Sequence, residues 1–329
     1  MLDKVAIIIS PNWSDYAKKY LTDCLVSLRA QKFNGQLKIF IVDNASSQES
    51  YNYLRQVGPE MEIIRNQNND GFAKGNNDAM RLALEQGYDY LWLINMDAVA
   101  DDRCLAELIK QAKQYPQAGA VQARLMLWSD KTKINSLGNV THFLGFGYCQ
   151  AYQEEYQPVG YREIAYPSGA GVLFKAEVLH KVELFDEEMW MYNEDQDLGW
   201  RLWLAGYTCI LADSAVIYHK YSFSKSISKY YWMDRNRLIN IFKNYHLATL
   251  VLIFPALLIM ELGLLLFAIK GGWFKEKIKV YQYFLSKDNR QYLKQARQKS
   301  QALRQVPDRK IIKLISGHVL YQEVDNIFL

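Results

Sequence analysis

Residues 191–207 read MYNEDQDLGWRLWLAGY, which sets Glu194, Asp195 and Asp197 together just ahead of an apolar, tryptophan-bearing run. Carboxylates at such a place do one of two jobs. In the first turn of a helix they oppose the positive end of the backbone dipole. As ionised bases they take a proton from an attacking hydroxyl. The spacing predicts a helix over 194–205, stopped by Gly206, with Leu198, Leu202 and Ala205 on its buried face. Asp197 stands one turn before Arg201, the spacing of an intrahelical ion pair. Asp195 lies on another side of that helix, so the two aspartates cannot serve one ligand. Glu194 and Asp195 are left without a structural task.

Other acids close strand-like runs. IVDNAS ends with Asp43 and Asn44, and INMD with Asn95 and Asp97. Such groups accept hydrogen bonds from a base or a sugar hydroxyl, or coordinate a divalent cation through oxygen. Asp and Asn also begin loops and cap helices. Either reading suits one site alone, but two in one sheet favour a ligand. NQNNDGFAKGNNDAM (66–80) is rich in Gly and Asn and leads into a helix, so it presents backbone N–H groups to an anion. Lys74 could meet a diphosphate there. The stretch is neither GxGxxG nor GxxxxGK[ST], which disfavours a dinucleotide fold and a P-loop. His219 closes the run AVIYH and becomes a metal-ligand candidate if it faces an Asp-bound cation.

The elements that must position these groups alternate. Apolar runs at 5–9, 37–42, 61–64, 90–95 and 118–122 read as buried strands. Helical spacing at 17–30, 50–57, 75–86 and 103–114 separates them. That pattern predicts an α/β fold, a parallel sheet covered on both faces, whose ligands sit at the carboxyl ends of the strands. Residues 124–168 read as loops and short antiparallel strands, and 175–183 as a helix.

A net charge of +4 over 329 residues is too weak to point to nucleic acid. The four cysteines form no CxxC pair, which argues against a zinc site and suits a reducing compartment. The opening run, MLDKVAIIIS, is too short for a signal peptide. Past residue 220 the chain turns basic and aromatic. Residues 247–269 form an apolar run about as long as a bilayer is thick, and 275–313 show a basic amphipathic helical pattern. Pro255 and Glu261 interrupt the apolar run, so spanning a membrane, lying on it, and packing as a buried hairpin or homo-oligomer interface all stay open.

The succession IVDNASS, NNDGFAKGNN, INMD, SGAGVLF, LFDEEMWMYNEDQDLGWRLWLAGY and IYH resembles the inverting family 2 glycosyltransferases of GT-A fold, especially their rhamnosyltransferase-like branch. The likeness covers residues 5 to about 220, and the tail motifs RNRL and VPDRKI extend it. It implies a Rossmann-like mixed sheet over residues 1–220. The donor half would be about 1–123 and the acceptor half 124–220, with membrane-associated helices over 221–329.

The resemblance also implies roles. Asn12, Asp43 and Asn44 match nucleotide-holding positions, and Asn68, Gly71, Phe72, Lys74 and Asn76 the loop beside them. Asp97 matches the acid that binds a divalent cation, Mg²⁺ or Mn²⁺, on the donor diphosphate, with His219 as a further metal contact. Asn95 takes the first position of that DxD-type motif, where an asparagine in place of aspartate leaves fewer charged ligands for the metal. Glu194 and Asp195 match an acid pair whose second member is the base. Trp190, Gly169 and Gly171 match the acceptor side. Met96 stands where the branch carries proline, and Trp13 and Asp15 are unusual after the first strand. The implied partners are a nucleotide-sugar donor (dTDP-rhamnose at branch level), a lipid-linked or glycan acceptor and the membrane surface, with no nucleic acid. The implied place is the cytoplasmic face of the cell membrane. A nucleotidyltransferase would share the sheet but needs a GxGxRL loop, where SPNWSD stands here. A binding or scaffold protein would have no use for Glu194 and Asp195 opposite a metal-binding acid.

Overall fold

The computed structural model of the protein describes residues 2–220 and 227–318; residues 221–226, within the basic aromatic segment, and the end of the tail lie outside the described residues. Strand β1 (Lys4–Asn12) shows why the sheet forms. Its β-branched run is buried on both sides, with Val5, Ile7 and Ile9 in one apolar layer and Ala6 and Ile8 in the other. Helix α1 (Tyr16–Arg29) follows, then β2 (Gln36–Asn44), α2 (Gln48–Val57), β3 (Glu62–Asn66), α3 (Gly71–Glu85) and β4 (Tyr90–Ile94). Next come β5 (Ala98–Ala100), α4 (Cys104–Gln114) and the long β6 (Ala118–Leu127).

Strands β1 to β4 are mutually parallel in the order β4-β1-β2-β3. Their carboxyl ends therefore share one edge. Short strands β7 (Ile134–Ser136), β8 (Asn139–His142), β9 (Gly147–Cys149) and β10 (Arg162–Glu163) fill the segment read as irregular. Strand β11 (Gly171–Lys175) then enters antiparallel between β4 and β6, so the sheet is mixed. Helices α5 (Ala176–Val182) and α6 (Glu194–Leu204) precede β12 (Thr208–His219), which runs parallel to β6 and antiparallel to β5.

The chain continues through α7 (Ser228–Asn244), α8 (Leu247–Lys270), α9 (Phe274–Leu285), α10 (Lys287–Ala302) and α11 (Asp308–Ile312) to β13 (Ile315–Ser316), which pairs with β8. These helices do not stand apart. Trp200 and Leu204 of α6 share an apolar cluster with Leu238 and Ile241 of α7, Leu257 of α8, Val280 of α9 and Ile311 of α11. The single helical pattern expected over 275–313 is broken at Ser286 and by Pro307.

Helix α3 begins four residues earlier than its periodicity predicts, so GFAKGNN is helical. Gly and Asn are poor helix formers, and close packing overrides that preference. A Cβ on Gly75 would stand 2.5 Å from the Pro11 ring, and one on Gly71, whose φ is +80°, 2.5 Å from Trp190.

Candidate active site

An open cleft of about 310 Å³ lies at the carboxyl ends of β1, β2 and β4. One wall is built from Ser10, Pro11 and Trp13 at the end of β1, Asn44 at the end of β2, and Gly71 and Phe72 at the start of α3. The opposite wall is the turn Ser168–Ala170 before β11 and the loop that leads into α6, with Glu194 and Asp195.

The expected donor residues divide between wall and support. Asn44 lines the cleft, donates to the Gly71 carbonyl at 2.9 Å and accepts from Asn66 at 3.1 Å. Asn12 and Asp43 are fully buried and sit behind the wall. The Asn12 amide donates to Asp43 Oδ1 at 2.8 Å, while its Oδ1 accepts from the Ala17 N–H at 2.9 Å, tying the start of α1 to the sheet. Asp43 Oδ2 has Arg65 at 3.5 Å and no hydrogen bond among the described residues.

Three of the expected residues lie off the cleft wall. Asn68 is exposed; its neighbour Asn69 lines the cleft and caps Gly71 N–H at 3.1 Å. Lys74 is turned back on its own helix, 3.1 Å from Asp70 and 2.9 Å from Asp78. Asn76 is buried and donates to the Phe72 carbonyl one turn earlier at 2.8 Å. On the acceptor side Gly169 lines the cleft, but Gly171 is inside the sheet, where a Cβ would meet Ile217 at 2.5 Å. Trp190 stacks on Trp232 with ring centroids 4.7 Å apart.

Asn95, Asp97 and His219 do come together. The β5–β12 register pairs Ala98 with His219 and so delivers the imidazole to the β4 turn. His219 Nε2 lies 3.2 Å from Asp97 Oδ1, and its Nδ1 is 3.0 Å from Asn135 Oδ1. Asn135 Oδ1 is an acceptor, so Nδ1 carries a proton, while Nε2 faces Asp97 Oδ1 with Asn95 Nδ2 3.5 Å away. Asn95 Oδ1 beside them is buried with no hydrogen-bond partner among the described residues. A carboxylate, an imidazole and an amide oxygen set together are the ligand types a divalent cation takes. Burial raises the Asp97 carboxyl, but the His219 contact and the Tyr16 hydroxyl outweigh it and hold it below its ordinary value. No group of three His, Cys, Asp or Glu side chains occurs among the described residues, so an amide must complete such a set.

The loop that leads into α6 is held under strain. Trp190, Tyr192 and Asn193 all have left-handed backbones, with φ of 59°, 70° and 64°. Side chains there cost about 1–3 kcal/mol each, so the surroundings must impose them. Asn236 of α7 does so: its Nδ2 lies 2.9, 3.0 and 2.7 Å from the carbonyls of Met189, Met191 and Tyr192. Asn240 adds a bond to the Asn193 carbonyl at 3.2 Å.

The three acids of α6 part company as the spacing predicts. Asp197 is fully buried, 2.7 Å from Arg201 Nε and 2.9 Å from Lys243 Nζ, with Asn244 at 3.1 Å. Burial raises its carboxyl, but the two cations prevail and bring it to about 2. Asp195 faces the cleft with no ion pair among the described residues. Its Oδ2 accepts from the Gly169 N–H at 3.2 Å and its Oδ1 from the Gln196 N–H at 2.7 Å. Burial pushes it from 3.8 up to about 6, against the pull of those N–H groups. Burial, then the neighbouring Asp195 charge, raises Glu194 well above its ordinary value, and its Oε2 has no partner. Of the two, Asp195 keeps backbone N–H groups that favour its charged form, whereas burial and the Asp195 charge both work against a charge on Glu194.

The sequence model of Glycosyl transferase family 2 matches residues 7–183. The protein belongs to glycosyltransferase family 2. Among curated proteins, the N-acetylglucosaminyl-diphospho-decaprenol L-rhamnosyltransferase of Mycobacterium tuberculosis is 25% identical over 241 residues, covering 67% of this chain and 76% of that protein. Among solved structures, S. aureus TarS 1–349 in complex with UDP superposes with a TM-score of 0.55 at 16% identity, covering 91% of this chain and 88% of that one. GalNAc-T7 with UDP, GalNAc and Mn²⁺ gives 0.55 at 10% identity over 72% of this chain and 48% of that one. The mixed sheet with its antiparallel β11 is thus the GT-A fold, and the family 2 glycosyltransferase is a transferase of sugars. The family match ends at residue 183, before Asp195 and before Asn236, which holds the loop ahead of α6.

Several wall residues escaped sequence reasoning. Ser10, Pro11, Asn69, Met191 and Tyr192 line the cleft. Asn69 was legible as a member of the same Asn-rich run. Nothing local marks Tyr192, whose place depends on a left-handed turn clamped from a distant helix.

Proposed function

We propose that this family 2 glycosyltransferase moves a sugar from a nucleoside-diphosphate donor to a hydroxyl of a lipid-linked or polysaccharide acceptor, with inversion, at the cytoplasmic face of the membrane. The single observation that carries the reading is Asp195: a carboxylate in the cleft wall with no ion pair among the described residues, fixed by two backbone N–H groups and facing the end of β1 and β4 where a donor would lie. A carboxylate near pH 6 is ionised at neutrality yet basic enough to take a hydroxyl proton as the new bond forms. One base opposite the leaving group gives a single displacement and inversion.

Asn95, Asp97 and His219 would hold Mg²⁺ or Mn²⁺, whose chemistry is to stabilise the charge gathering on the departing diphosphate. Around it, Asn44 and Gly71 shape the nucleotide wall and Phe72 packs beside Gly169. The relative named a rhamnosyltransferase supports dTDP-rhamnose as donor and a diphospho-polyprenol acceptor, while the UDP of two structural neighbours makes UDP-sugars the comparison set. The test is a panel of dTDP- and UDP-sugars with lipid-linked acceptors, scored by release of nucleoside diphosphate and by the anomeric configuration of the product. Release from no donor, or a product of retained configuration, overturns the reading.

A further inference from the structure

Helix α8 is apolar enough to cross a bilayer, with a mean hydropathy of 2.6 and only 6% of its most apolar window buried. Its midpoint is nevertheless tied to the catalytic body by charges. Glu261 accepts from Arg237 of α7, from Lys277 of α9 at 2.6 Å and from the Tyr281 hydroxyl at 3.2 Å. Asp234 closes the network, 2.7 Å from Arg237 and 2.6 Å from Lys277. The Lys277 side chain is 0% exposed and Arg237 2%, so neither cation has water to fall back on. Around these charges Leu250, Ile253, Ala256, Leu257 and Met260 pack on the cluster shared with α6, α7 and α9.

The other face points outward. Leu247, Val251, Leu258, Leu262, Leu266 and Ile269 recur at helical spacing and are each about half exposed or more. Exposed lysines follow directly: Lys270 at the end of the helix, then Lys275 and Lys279 on α9.

We propose that α8 lies flat in the cytoplasmic leaflet, inner face on the catalytic domain and outer stripe in the acyl boundary, with both ends on the same side. The occupant of the stripe is an anionic lipid surface, chosen because a continuous apolar face is followed by exposed cations and by no exposed acid on α8 itself. A spanning α8 would bring Glu261, near the helix centre, to mid-bilayer. Either α7 and α9 would follow it into hydrocarbon, or Arg237 and Lys277 would be left buried as two cations sharing the single carboxylate of Asp234, a heavy cost in both cases. Helix α7 also holds the base loop through Asn236, so pulling it into lipid would dismantle the cleft.

The proposal rests on the membrane part of the reading above, and its test does not depend on transfer. Single substitutions His246→Cys and Lys275→Cys, in the full chain, are exposed to a membrane-impermeant maleimide in inside-out vesicles and in intact spheroplasts, against the unsubstituted chain as blank. Both sites should label in inside-out vesicles and neither from outside. One end labelling from each side overturns the flat placement. Purified chain should sediment with phosphatidylglycerol-containing vesicles, and Leu258→Glu with Leu262→Glu should reduce the bound fraction at least about tenfold. Equal binding by the double variant overturns the stripe, as does a chain that ignores vesicles and forms dimers through it. Equal binding to pure phosphatidylcholine overturns the choice of an anionic surface. A chain that labels and sediments as expected but releases no nucleoside diphosphate would refute the transfer reading alone.

Discussion

Replacing Asp195 by asparagine keeps the shape of the side chain and removes its charge, and the structure sets the consequence for stability as well as for rate. In the folded protein burial lifts this carboxyl from 3.8 to about 6. At about 1.4 kcal/mol per pH unit, the ionised form destabilises the fold by about 3 kcal/mol. The sign follows from a folded value above the unfolded one. The cost is absent below pH 3.8, where both states are protonated, grows as pH rises to about 6, and is fully present at pH 7. Asparagine escapes that cost but leaves one of the N–H groups of Gly169 and Gln196 facing an amide, a loss of about 1 kcal/mol. Asp195→Asn should therefore be more stable than the parent by about 2 kcal/mol at pH 7 and no more stable near pH 3.5, read by denaturant unfolding at both. The same variant should lose about 10²–10⁴ in kcat with donor affinity nearly unchanged. In the parent, kcat/KM should fall about tenfold between pH 7 and pH 5 as the base is protonated. A variant that is less stable at pH 7, or a rate flat down to pH 5, refutes the reasoning.

Asp97→Ala should weaken donor binding and abolish its dependence on Mn²⁺; a donor titration in EDTA that matches one in Mn²⁺ would remove the cation from the site. Asn236→Ala leaves three loop carbonyls without their donor, which should lower kcat about tenfold or more with donor KM unchanged, read with a thermal melt to separate it from unfolding. An unchanged kcat would show that the left-handed loop holds itself. Gly71→Ala places a Cβ 2.5 Å from Trp190 at a φ of +80°, a strain of about 1–2 kcal/mol, so donor affinity should fall several-fold by calorimetry.

The residues alone determined the sheet and one face of the chemistry. Runs such as Val5–Ile9 and Tyr90–Ile94 are apolar on both sides, which only a covered sheet accepts. Helical spacing alone separated Asp195 from Asp197 and paired the latter with Arg201, because side-chain direction on a helix is set by chain geometry and little else. The residues past Gly206 were equally plain in composition.

What composition left open, packing decided. Lys74 was read toward a diphosphate, yet Asp70 and Asp78 on its own helix claim it, since α3 starts at Gly71 and brings both within one turn. Gly171 was read as cleft wall and proved to be sheet interior, because β11 runs antiparallel and buries it against Ile217. The meeting of Asp97 with His219, 122 residues apart, depends on β5–β12 register. The left-handed loop before Asp195 is disfavoured by its own residues and is held by Asn236 and Asn240 of α7, which grip its carbonyls. Periodicity and burial are local sums that a sequence displays; strain, register and the choice among rival ion partners are balances between distant segments, and only the folded chain strikes them.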